Sequence, residues 1–284
     1  MLAAVIEKMP GVFYTHIITM RYHLKIFTII IALITFLALP AGCGDTEQVE
    51  GALEKAAIID QLYLLEPNSS FISEAAGLLE SYGFAVDLWQ GSEITVDFYR
   101  KLPSMGYKLI IFRVHSGLLV NIQGGAAKAI ETTYLFTAEN YTTVRYITDQ
   151  LTDKVSNALM SDRIPLVFAV NSAFIKGAEG RFQDSVVIMM GCESYYYEDM
   201  PKVFIEKGAS AYIGWSTVVS LDYVDNAVLD LLGNLFAANM PLAKGINQTM
   251  SDLGRDPNFN AYLKYYPPAS GNHTVKELIN NEIK

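Results

Sequence analysis

Two short runs constrain this chain more than any other feature in it: KLIIFRV at 108–114 and SVVIMMG at 185–191. Both are apolar at nearly every position rather than at every second one. A strand with one wet face alternates, whereas a strand that is apolar throughout must be covered on both faces. That is the condition of a parallel sheet held between layers of helix. The neighbouring segments fit the same scheme. AIIDQLYLLE (57–66) and FAVDLWQG (84–91) read as strands, and between them Phe71, Ala75, Leu78, Leu79 and Tyr82 recur at helical spacing, with Gly83 as the stop.

Further along, 93–106 reads as a helix broken near Pro103, and 118–140 as a glycine-rich loop followed by an extended piece at 132–137. The spacing of Val144, Ile147, Leu151, Val155 and Leu159 predicts a helix over 141–160, and 164–175 reads as extended. A helix over 198–207, a strand over 209–216 and helices over 221–240 and 241–254 complete the series. Alternating β and α elements predict an α/β domain over 57–265, a three-layer sandwich with a mainly parallel sheet. Residues 266–284 read as a turn-rich tail.

The first residues belong to a different category. IFTIIIALITFLAL (26–39) carries no charge and is preceded by Arg21, His23 and Lys25, the shape of a signal-peptide apolar region rather than a membrane span. Residues 1–42 are therefore expected to be a signal peptide, with Met20 as an alternative start. LPAGCG (39–44) resembles a bacterial-type lipobox and makes Cys43 the expected lipidation site, with 43–56 as a polar, membrane-anchored tether. Localisation is then exported, on the outer face of the cytoplasmic membrane or the cell envelope. Without residues 1–42 the net charge is −11, and no basic run is present, so a nucleic-acid partner is not expected.

Motif chemistry narrows the choice. The chain has no GxxxxGK[ST] loop, no GxGxxG after the first strand, no HExxH and no CxxC. No cofactor and no metal site are expected. What remains is one pairing: His115 follows the first of the two apolar runs, and Cys192 follows the second. In a parallel sheet both emerge at the same edge, and adjacent strands lie about 4.8 Å apart. A thiol beside an imidazole is a nucleophile beside a base, and backbone N–H groups at Gly117 and Cys192 are candidates for holding a developing oxyanion. The competing reading is a core cysteine that fills a gap, since free cysteine is among the most buried residue types.

GCES (191–194) and VHSG (114–117) resemble the cysteine and histidine boxes of the caspase-like cysteine peptidases (clan CD). The layout after Cys192 is similar to that of gingipain- and CHAT-type members. The resemblance implies a caspase-like fold, with Cys192 as nucleophile, His115 as general acid/base, and Gly117 and Cys192 as oxyanion donors. It also implies a substrate pocket lined by Trp215, with Glu193 and Ser216 beside it, and a protein or peptide substrate. The alternatives are a catalytically inactive caspase-like surface lipoprotein used for binding or assembly, and a solute-binding lipoprotein.

Overall fold

The computed structural model describes residues 53–123, 126–160 and 165–281, without the side chains of 119–131. Cys43, the lipobox and the predicted signal peptide lie outside the described residues. None of the described helices is long and apolar enough to cross a membrane.

The chain enters through β1 (Glu54–Asp60), α1 (Ser69–Ser81), β2 (Phe84–Gln90), α2 (Val96–Lys101) and β3 (Leu109–Arg113). It then leaves the main sheet for β4 (Ser116–Gln123), β5 (Ala126–Asn140), α3 (Ile147–Leu151), β6 (Val155–Ala158) and β7 (Val167–Asn171). After α4 (Ser172–Gly177) it returns with β8 (Val186–Met189), α5 (Asp199–Glu206), β9 (Ala211–Trp215), α6 (Leu221–Leu232), α7 (Leu242–Leu253), β10 (Leu263–Tyr266) and α8 (Val275–Ile279).

Six strands form the main sheet in the order β10-β9-β8-β3-β1-β2, parallel except for β10, which runs antiparallel to β9. A second, antiparallel sheet has the order β4-β5-β7-β6. The result is a three-layer α/β sandwich. Ala56, Ile58, Leu109, Ile111, Val186, Ile188 and Ile213 face one apolar cluster with α1, α6, α7 and α8. The alternate residues Ala57, Ile59, Ile110, Phe112, Val187, Met189 and Tyr212 face another, with α2, α4, α5 and the inner side of the second sheet. Both apolar runs, 108–114 and 185–191, are thus covered on both faces, which is why neither alternates.

Several local expectations are corrected. The segment 141–160 is not one helix: only Ile147–Leu151 is helical, and Val155–Ala158 is strand. Of its predicted apolar face, Val144, Ile147, Leu151 and Leu159 are exposed and only Val155 is buried. Residues 118–123 and 126–131, expected in a loop, belong to the antiparallel pair β4–β5, which also contains the extended piece expected at 132–137, and 167–175 divides between β7 and α4. The boundaries also move. The first strand begins at Glu54, inside the expected tether, and the expected tail supplies α8, whose Val275, Leu278 and Ile279 are buried in the core.

Candidate active site at the carboxyl edge of the main sheet

β3 and β8 are hydrogen-bonded parallel neighbours, and Phe112 and Met189 are register partners. His115 lies three residues beyond Phe112, and Cys192 three beyond Met189. The topology therefore brings the two sequence-predicted residues to one edge on adjacent strands, where ligands collect in open α/β sheets. Beyond the strand ends the two segments stay together. Met190 N–H donates to Phe112 O at 2.8 Å, and the Ser116 hydroxyl donates to Cys192 O at 2.5 Å. Gly191 permits this approach, since a β-carbon there would lie 2.8 Å from Val114 O and against the Ser116 side chain.

His115 is the corner residue between the two sheets. Its N–H donates to Gln61 Oε1 at 2.9 Å, and its carbonyl accepts from Phe136 N at 3.0 Å. The imidazole sits 6.1 Å from the Phe136 ring, centroid to centroid. Burial pushes its pKa below the usual histidine value, with Glu66 opposing and Arg113 adding to the shift. The Cys192 thiol donates to Val219 O at 3.5 Å. Burial pushes its pKa up against the effect of that hydrogen bond, and the carboxylates of Glu193 and Asp256 push the same way. At neutral pH the resting pair is therefore a neutral thiol and a neutral imidazole, not a thiolate–imidazolium pair.

Glu193, the residue after the thiol and expected beside a substrate pocket, instead reaches back to the start of β4. Its backbone is left-handed, with φ 54°, and is pinned by Glu193 N–H to Thr217 O at 3.0 Å and by the Thr133 hydroxyl to Glu193 O at 3.3 Å. From there its carboxylate accepts the N–H of Leu118 at 3.3 Å, and Oε2 lies 3.7 Å from where a β-carbon on Gly117 would stand. The start of β4 thus has an internal acceptor. Glu193→Ala removes that acceptor and a negative charge beside the sulfur. Alkylation of Cys192 by iodoacetamide at pH 7 is expected to rise on the order of threefold, because a gain in thiolate is partly offset by lower intrinsic nucleophilicity. An unchanged rate–pH profile would show that the carboxylate does not act on the thiol.

The expected pocket residues are placed otherwise. Trp215 is fully buried in the core and packs against Tyr223, ring centroids 5.7 Å apart, so it offers a substrate no surface. The cause is β10, which makes β9 an interior strand. Ser216 continues the β9–β10 pairing, donating to Tyr262 O at 3.0 Å and accepting from Tyr262 N at 3.1 Å. Gly117 pairs with Tyr134 in the second sheet. A recess of about 200 Å³ does adjoin the site, but on the side of the second sheet, where Gly117, Leu118, Tyr134 and Phe136 are among its walls. A larger one, about 580 Å³, opens at the opposite edge, where Glu54 and Phe84 begin β1 and β2, away from the cysteine and histidine.

The sequence reading also missed the support beneath His115. Arg113 is fully buried, with Nη1 2.9 Å from Asp60 Oδ1 and with Nε and Nη2 each 3.0 Å from the Asp225 carboxylate. Asn68 caps α1 and donates its amide to Asp225 Oδ2 at 2.9 Å. The available signal was an arginine inside an apolar strand, since such a charge is almost never buried unpaired. Among the described residues no cluster of three or more histidine, cysteine, aspartate or glutamate side chains could hold a metal ion. No protein-family model matches this chain, and no curated protein matches its sequence.

Proposed function

We propose that this chain is a caspase-like cysteine peptidase, in which Cys192 attacks a peptide carbonyl and His115 takes the thiol proton and returns it to the leaving amine. The observation that supports this reading best is the register: thiol and imidazole stand equally far beyond paired residues of adjacent parallel strands. The resting chemistry defines the mode. A neutral thiol and a neutral imidazole at one sheet edge call for general-base activation during attack, a contribution of about 10²–10⁴ in rate. Acyl transfer then gives a thioester at Cys192, which water hydrolyses with His115 again as base. The lipobox-like LPAGCG and the apolar run before it support an exported chain held at a membrane through Cys43.

The test is labelling of Cys192 by a peptidyl chloromethyl ketone across pH 5–10. It uses the full chain carrying Cys43→Ser, which leaves Cys192 as the only thiol. The rate is expected to climb with pH through an apparent pKa above that of a free cysteine, about 8.5. At pH 7 it should drop at least tenfold in His115→Ala. A profile indifferent to His115 would leave the second reading, a non-catalytic binding lipoprotein of the same fold. That reading is favoured by one observation, the Glu193 carboxylate seated on the Leu118 N–H.

A further inference from the structure

The recess beside the site has the size and walls of a side-chain pocket, and it is lined from elements that sequence reasoning did not connect with the chemistry. It holds about 200 Å³ between Gly117 and Leu118 of β4, Tyr134 and Phe136 of β5, and Ala158 and Leu159 at the end of β6. That is smaller than the roughly 300–1,000 Å³ of a whole small-molecule site. It exceeds the about 150 Å³ that suffices for benzene in an apolar cavity. No charged side chain is among the described residues that line it.

Its position ties it to the reacting groups. Phe136, one wall, is the ring against which His115 rests. Gly117 and Leu118, another wall, are the strand start that Glu193 grips. The recess thus borders the face of the second sheet that carries His115 and the Glu193 carboxylate.

We infer that this recess is the specificity pocket of the site and takes one uncharged apolar side chain of leucine, methionine or phenylalanine size from a peptide held at Cys192. The inference rests on the hydrolase reading and adds the substrate class. An acidic side chain entering here would lose water and meet the Glu193 carboxylate at the Gly117–Leu118 wall, which discriminates strongly against it. Occupation also competes with the Glu193 contact, because both use the start of β4.

The test uses the full chain with Cys43→Ser and four chloromethyl ketones that differ only in the side chain next to the reacting carbon: phenylalanine, leucine, aspartate and lysine. Labelling rates of Cys192 are taken relative to iodoacetamide, which carries no side chain, so that changes in thiol reactivity itself cancel. The apolar reagents are expected to react about tenfold or more faster than the aspartate reagent, and a lysine reagent faster than both would overturn the apolar assignment. That advantage should disappear in Leu159→Asp, a change at a half-exposed position, and in Ala158→Phe, which fills the recess. Equal rates for all four reagents with His115 dependence intact would overturn the pocket and leave the hydrolase standing. A preference that survives both variants would place the apolar contact elsewhere and overturn it too. Labelling that ignores His115 in every case would remove the hydrolase reading and this inference with it.

Discussion

Replacing Arg113 with methionine is expected to cost about 3–5 kcal/mol of folding stability, because it strands two buried carboxylates without a counter-charge. Arg113 and Asp60 are each 1% exposed, and Asp225 is 4% exposed. The same side chain also donates to Glu66 O at 2.8 Å and so fixes the turn after β1. The contrasting variant is Asp60→Asn. The Asp60 carboxylate is buried, and burial pushes its pKa up despite the adjacent guanidinium and the Gln90 side chain. Neutralising it leaves Arg113 its two-pronged contact with Asp225, and the expected loss is about 1 kcal/mol. Urea unfolding of both variants, read by tryptophan fluorescence, separates the two. Equal losses would mean that the arginine is held by packing rather than by charge.

Gly191→Ala carries the second large effect. Its β-carbon would meet the Val114 carbonyl, which cannot rotate away, and the Ser116 side chain that ties β4 to Cys192. Overpacking of this kind costs about 1–3 kcal/mol. Here the relief available is separation of the His115 segment from the Cys192 segment. The urea midpoint should therefore fall, and labelling of Cys192 should lose its dependence on His115. Ser116→Gly in the same chain removes one of the two collisions and is expected to restore part of the stability, a coupling that a double-mutant cycle measures. Independent, additive losses would show that the glycine serves the backbone turn alone.

The sandwich was legible because its central strands are covered on both faces: 108–114 and 185–191 state their burial in their composition. Strand direction put His115 and Cys192 at one edge of the sheet, whereas the adjacency of their strands is shown by the structure. What was not legible depends on contacts distant in sequence. Val144, Ile147 and Leu151 repeat at helical spacing yet face solvent, and the chain breaks after them at Asp153, whose φ is 54°. The 118–140 hairpin was signalled by Gly124-Gly125 between two β-rich stretches, a pattern that the alternating α/β scheme overrode. Trp215 was placed in a pocket only by the family resemblance, and its indole instead faces the apolar cluster under α6 and α7, with its Nε1 lacking a hydrogen-bond partner among the described residues. The recess on the second sheet was not legible either, since its walls come from four strands whose partners no local pattern names.

The corner at His115 has a mechanical meaning. Cys192 is carried by the main sheet, whereas the histidine carbonyl is already part of the second, bonded to Phe136. Thiol and imidazole therefore sit on opposite sides of a seam, latched by the Ser116 hydroxyl on one side and the Glu193 carboxylate on the other. A shift of the second sheet would carry the His115 backbone with it and load the three hydrogen bonds that hold Cys192 and Glu193 to Ser116, Leu118 and Thr133.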